Sequence, residues 1–183
     1  LTNSVLLESV HAQAKRIGLR SVPVIGYCER VTVPTVIGAL RPMILLPGSI
    51  MTGLSSDDFA AVLSHELAHI RRYDLWMNLL QRLIESLLFF HPVVWLLSRQ
   101  VSKEREICCD DLVLLAGHSP MNYAGALLRM AELCVLAQQP QLASLSVSGR
   151  TAAELEQRIE RLMNIKERSK LRLTRTGVMI LLA

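Results

Sequence analysis

Leu54-Ser55-Ser56-Asp57-Asp58-Phe59-Ala60-Ala61-Val62-Leu63-Ser64-His65-Glu66-Leu67-Ala68-His69-Ile70 is the stretch on which the fold turns. Ser55 or Ser56 is placed to cap a helix, and Asp57 and Asp58 favour the positive end of its dipole. Phe59, Val62, Leu63, Leu67 and Ile70 recur at helical spacing, which predicts a buried helix over residues 55–73. That helix also carries His65, Glu66 and His69. Histidines at i and i+4 stand one above the other, and each can offer a ring nitrogen to a single ion. A buried polar group left unpaired costs about 1–3 kcal/mol; a metal ion removes that cost. The pattern His-Glu-x-x-His is the spacing of zinc peptidases, with the glutamate as general base toward a water. Glu66 holds that position.

A catalytic zinc ion takes three protein ligands and keeps a fourth position open. His11 and His118 are isolated, and His91 precedes a proline. The acidic run Lys103-Glu104-Arg105-Glu106-Ile107-Cys108-Cys109-Asp110-Asp111 is the better source. Glu106 and Asp110 share a helical face. Glu106 is therefore expected as the third ligand beside His65 and His69. Asp110 is expected to accept a hydrogen bond from the outer nitrogen of a ligating histidine and so fix its tautomer. Glu104 and Asp111 are expected to face solvent or arginines. A thiolate from Cys108 or Cys109 is the competing ligand. A tetrahedral oxyanion needs a further donor, for which Tyr123 and His118 are the candidates; read otherwise, Tyr123 is a core aromatic.

The rest of the chain is long enough for one domain with a tail: 183 residues, 51% hydrophobic and only 4% aromatic. Mean hydropathy is +0.33, high for a freely soluble domain. Residues 1–20 read as an amphipathic helix with Val5, Leu6, Val10, Ala14 and Ile17 on one side and Gly18 as its stop. Val22–Tyr27, Val31–Gly38 and Pro42–Pro47 are short, β-branched and bounded by Gly or Pro, which predicts two or three strands of a small sheet, kept near edges by their prolines. An edge strand beside a metal helix could accept an extended peptide; read otherwise, the sheet only covers the core. From Leu75 to Leu97 the chain is apolar but carries Asn78, Gln81, Arg82 and Glu85, too polar for a simple membrane span. Two helices are expected, broken at His91-Pro92. The tip Leu87-Leu88-Phe89-Phe90 fits either a dip into a membrane interface or a buried core turn. Further helices are predicted to Ala116, from Pro120 to Leu136, and from Ala152 to about Lys170, with residues 138–149 as a loop.

Four cysteines, Cys28, Cys108, Cys109 and Cys134, form neither a disulfide framework nor a C-x-x-C pair and read as reduced, buried thiols. Between Arg150 and Arg175 there are eight basic and four acidic residues, an excess equal to the net charge of +4. Such a run before the apolar Gly177–Ala183 fits a basic juxtamembrane segment over 171–183, the start of a truncated membrane helix, with the domain on the cytoplasmic side; it fits equally a solvated helix face with balancing charges. No aromatic residues interleave with these charges, so nucleic-acid binding is not expected. The chain does not begin with Met and shows no secretory signal, so it reads as a piece of a longer polypeptide.

His65-Glu66-Leu67-Ala68-His69, Arg72, Asp74, Asn78, Phe90-His91-Pro92-Val93-Val94-Trp95, Arg105-Glu106 and Cys109-Asp110 together resemble the M56 metallopeptidases, the zinc-peptidase domains of BlaR1/MecR1-type signal transducers. Pro42–Pro47, Tyr123-Ala124 and Arg158-Ile159 fit the same pattern, which covers roughly residues 20–165. The resemblance implies an α+β, mostly helical, gluzincin-like fold with a small N-terminal β-sheet, the peptidase domain lying over 21–170. It implies a membrane-associated zinc metalloendopeptidase of a bacterial-type multi-pass protein, with one catalytic zinc ion and the domain facing the cytoplasm. Its partners would be a transcriptional repressor or its own loop near Ser144–Gly149 as substrate, membrane lipid, and a second copy in a homodimer. No penicillin-binding sensor and no S-x-x-K motif is present, so β-lactam sensing does not follow. The rival reading is a zinc-holding regulatory module that recognises a partner with little turnover; the intact Glu66 weighs against it.

Overall fold

The computed structural model describes residues 4–137 and 148–164. Seven helices and three short strands follow one another as α1 (Ser4–Ile17), β1 (Val24–Tyr27), β2 (Thr35–Ile37), β3 (Met43–Leu46), α2 (Gly48–Gly53), α3 (Ser56–Arg71), α4 (Asp74–Leu87), α5 (Pro92–Leu115), α6 (Pro120–Ala137) and α7 (Ser148–Met163). The architecture is α+β and mostly helical.

The metal-motif helix α3 is the central element, packed against α1, α4, α5, α6 and β2. Ser55, not Ser56, caps it: its Oγ accepts from the Asp58 amide at 3.2 Å and donates to the Asp58 carboxylate at 2.6 Å. Leu63, Leu67 and Ala68 are sealed from solvent. Leu63 and Leu67 meet Val10, Ala14 and Ile17 of α1, Val113 of α5 and Ala126 of α6 in one hydrophobic core. The N-terminal amphipathic helix thus lies within the same core as the motif helix. Gly18 and Gly117, both at positive φ, end α1 and α5 in the left-handed conformation that side chains disfavour.

The strands form one sheet in the order β1-β3-β2, with β1 parallel and β2 antiparallel to β3. The expectation that prolines hold every strand at an edge fails for β3, which is central. Pro42 and Pro47 stand just outside its ends, where no ladder hydrogen bond is lost. Ile44 and Leu46 point into the core. β2 is left at the edge beside α3.

The chain breaks at His91-Pro92, with Pro92 opening α5, as expected. The tip between α4 and α5 is not a buried core turn: Leu87 and Leu88 are exposed, and Phe89 and Phe90 are each 68% exposed. Two further boundaries differ. The short helix α2 was not expected, because six residues carry too little periodicity to be seen. α7 begins at Ser148 and ends at Met163, earlier at both ends than its stripe of Leu155, Ile159 and Leu162 suggested. Of the anticipated self-cleavage loop, residues 144–147 lie outside the described residues, as does the whole segment 171–183. Among the described residues no helix is long and apolar enough to cross a membrane.

Candidate metal centre

Three helices bring the motif residues to the floor of a cleft of about 390 Å³. His65, Glu66 and His69 come from α3, Glu106 from α5 and Arg158 from α7; Val33, Pro34, Thr35 and Val36 form one rim. His65 and His69 pack edge to face with ring centres 4.8 Å apart. The Nε2 atom of His65 lies 3.3 Å from Glu106, and that of His69 lies 3.9 Å from the other oxygen of the same carboxylate. One ligand atom from each of the three side chains falls within 4.8 Å of the other two.

The outer nitrogens decide whether this trio fits a metal. Nδ1 of His69 lies 2.8 Å from Asp74 Oδ2. Nδ1 of His65 lies 2.9 Å from the Tyr123 hydroxyl and 3.5 Å from Asp110 Oδ1. Since the Tyr123 hydroxyl donates to Asp110 at 2.7 Å, its oxygen is left to accept from His65. A ring that keeps its proton on Nδ1 holds these bonds and leaves the lone pair of Nε2, on the side of Glu106, free for an ion. Two imidazole nitrogens and one carboxylate, open to a cleft on the remaining side, are the donor set of a catalytic zinc ion. The residues fit the group.

Asp74 was not singled out as a partner of the site, although it stands only five residues past His69. Its placement depends on Tyr73, which sits between α3 and α4 at φ 58° and ψ 34°. A left-handed residue costs a non-glycine about 1–2 kcal/mol, and here it reverses the chain so that the first residue of α4 meets the ring above. Asp74 is buried. Burial opposes its charge, but contacts with His69, Cys109 and Arg72 outweigh it and hold the carboxyl below its usual range.

Arg158, which the resemblance pattern includes without a role, is the second residue that the structure brings to the site. Its guanidinium grips Asp110 through Nε at 3.0 Å and Nη2 at 2.6 Å, and Nη1 stands 3.6 Å from Glu106. A signal was present: Arg158 lies on the apolar stripe of α7, three residues after Leu155 and four before Leu162. An arginine there needs a buried anion, and Asp110 is fully buried.

The surroundings tune the charges. Burial alone would raise the Glu106 carboxyl; its bond with His65 and the nearby His69 and Arg158 instead bring it down to about 2. Burial favours neutral His65, against the pull of Glu106, and neutral imidazole is the form that binds metal. Burial raises the Glu66 carboxyl to about 7. The Cys109 thiol, pushed up by burial and by Asp74, stays protonated at 3.4 Å from His69 Nδ1. A thiolate ligand from Cys109 does not fit that environment.

Two expected oxyanion donors point elsewhere. Tyr123 is fully buried, and its hydroxyl is taken up by His65 and Asp110 on the side of the ring away from the cleft. His118 bonds Ser64 at 2.9 Å and approaches Gln13 of α1 at 3.3 Å. Asp111 pairs with Arg161 at 2.6 Å, while Glu104 stays exposed and accepts from Gln100 at 2.8 Å.

With this geometry in view, comparison with known proteins is decisive. The sequence profile described as BlaR1 peptidase M56 matches residues 1–162. The chain belongs to the M56 peptidase family. It is 33% identical over 114 residues to the regulatory protein BlaR1 of Bacillus licheniformis, a match covering 62% of this chain and 19% of that protein. It is 25% identical over 111 residues to the methicillin resistance mecR1 protein of Staphylococcus aureus, covering 60% of this chain and 19% of the relative. Protease HtpX of Histophilus somni is 29% identical over 108 residues, 57% of this chain and 37% of that protein. The M56 chain thus matches about a fifth of the length of the first two relatives. Membership of a peptidase family agrees with the arrangement of His65, Glu66, His69 and Glu106.

Proposed function

We propose that this chain is the peptidase part of a membrane-associated zinc metalloendopeptidase of gluzincin type, which acts in signal transduction by cleaving itself, a transcriptional repressor, or both. The observation that carries the reading is the convergence of His65, His69 and Glu106 beside Glu66 at the floor of a cleft rimmed by an edge strand. His65, His69 and Glu106 would hold the ion. The chemistry zinc supplies when bound is polarisation of the scissile carbonyl and acidification of a water.

The protein's own residues do the rest. Glu66 takes the proton of the attacking water and returns it to the leaving amine. The free edge of β2 offers main-chain groups to an extended peptide, and Val62, Leu127 and Met130 line the cleft with apolar surface. Tyr123 and Asp110 position His65, and Asp74 positions His69.

The test is cleavage of a co-encoded repressor by the zinc-loaded full-length protein in membranes, beside Glu66→Gln. Glu66→Gln should lower turnover by about 10²–10⁴-fold with metal content unchanged. Undiminished cleavage would remove Glu66 from the general-base role. Stoichiometric zinc and repressor binding without cleavage by the unmodified protein would favour a regulatory binding module instead.

A further inference from the structure

The hairpin of α4 and α5 is built inside out. Between Leu75 and Cys108 the only buried residues are Glu85 and Ser98, both polar. They meet between the two helices, where Ser98 donates to Glu85. Gln81 also donates across the seam, to the Ser98 carbonyl at 3.2 Å and to Ser102 at 3.2 Å. The outer surface is apolar: Leu79, Leu80, Leu83, Ile84 and Leu87 on α4, Phe89 and Phe90 at the tip, and Val93, Trp95, Leu96, Leu97 and Val101 on α5 are all exposed. In water this pairing should be reversed, with leucines inward and glutamine, glutamate and serine outward. Polar groups facing one another and apolar groups facing out is the arrangement of helices in hydrocarbon.

We infer that this hairpin is a lipid-insertion element, which seats the domain on an anionic bilayer by burying the tip in one leaflet. The inference rests on the membrane-associated part of the proposed function and adds the surface that makes the contact. Three features favour lipid over a protein partner. At about 100° per residue, the exposed apolar side chains of α5 spread over roughly 240° of its circumference, more than one flat partner covers. From Ser86 to Ser98 no Asp, Glu, Lys or Arg occurs. Arg82, exposed although it also pairs with Glu85 at 2.9 Å, and exposed Arg99 are each next in sequence to a residue of the bonded pair Gln81–Ser98 and stand at one level, with exposed Lys103 one turn beyond Arg99. Cations at that level suit lipid phosphates. From there α4 descends about 7.5 Å to Leu87 before the turn, which matches the ~5–10 Å depth of interfacial elements.

The chain's two tryptophans make the inference measurable, because both lie on this hairpin. Trp95 falls about 6 Å to the tip side of Arg99, and Trp76 about 9 Å to the other side of Arg82. The experiment mixes the whole chain with vesicles of 30% phosphatidylglycerol in phosphatidylcholine, with and without brominated acyl chains. Trp76→Phe and Trp95→Phe variants each leave one reporter. Flotation is repeated with Phe89→Asp/Phe90→Asp, whose side chains are exposed and whose fold is checked by circular dichroism. Expected are a blue shift and strong bromine quenching of Trp95, little quenching of Trp76, and at least a tenfold loss of vesicle binding in the double variant. If the unmodified chain binds but the double variant binds equally, the hairpin is not the contact, while membrane association stands. If the unmodified chain does not bind, both fall, leaving the peptidase reading intact. A dimer in sedimentation that the double variant abolishes, with Trp95 unquenched, would give the surface to a second copy and overturn the inference.

Discussion

The carboxylate of Asp74 lies 2.8 Å from Nδ1 of His69, while the corresponding nitrogen of His65 meets a tyrosine hydroxyl backed by Asp110. The two histidines of one motif are thus oriented by different devices, and the difference has consequences.

His69 has one strong acceptor behind it; its other neighbour is the sulfur of Cys109. Asp74→Ala should therefore weaken zinc binding by about 10–100-fold, measured by competition with a chromogenic chelator. Asp74→Asn should keep part of the affinity through its side-chain oxygen. Unchanged affinity in Asp74→Ala would show that the ring is held by packing alone.

His65 has a reserve, because Asp110 Oδ1 stands 3.5 Å from its Nδ1. Tyr123→Phe should cost less than tenfold in both zinc affinity and kcat, with KM unchanged. A loss of kcat beyond about 10²-fold at unaltered zinc affinity, the size seen when an oxyanion donor is removed, would return Tyr123 to that role.

Glu106→Ala should empty the site of zinc, whereas Glu104→Ala, whose side chain faces solvent beside Gln100, should leave metal content as it is. Elemental analysis of the two purified variants decides this, and the reverse order would move the third ligand.

Arg158 neutralises Asp110 where neither reaches water freely. Breaking such a pair by removing one partner costs about 3–5 kcal/mol. Arg158→Ala should lower the denaturant midpoint accordingly, and Arg158→Ala combined with Asp110→Asn should recover part of the loss. Equal destabilisation by single and double variants would mean that the charge on Asp110 is not what Arg158 holds.

Acid should loosen the start of α3. Burial disfavours the Asp58 carboxylate, but bonds from Arg129 and Ser55 outweigh that and hold its pKa below the usual carboxylate range. A group whose folded pKa is depressed stabilises the fold above its unfolded value and loses that contribution as pH falls through the folded value. Arg129→Ala should therefore shift acid unfolding, followed by circular dichroism, to higher pH. Ser55→Ala should cost about 1 kcal/mol at neutral pH through loss of the cap. An unchanged acid midpoint in Arg129→Ala would show that this ion pair is not coupled to unfolding.

Much of this protein is local and was therefore legible in its sequence. The cap at Ser55, the apolar stripe of α3, the break at His91-Pro92 and the stops at Gly18 and Gly117 are set by neighbours within a turn or two. His65 and His69 share a face because the helix repeat places them there, and Glu106 with Asp110 follows the same rule. Tertiary structure decided what no period encodes. It placed β3 in the centre of the sheet, reversed the chain at Tyr73 so that Asp74 meets His69, and carried Arg158 from α7 onto Asp110. It also turned Tyr123 from an oxyanion candidate toward the back of His65. Helical periodicity says which residues share a face; only the packing of separate elements says which faces meet.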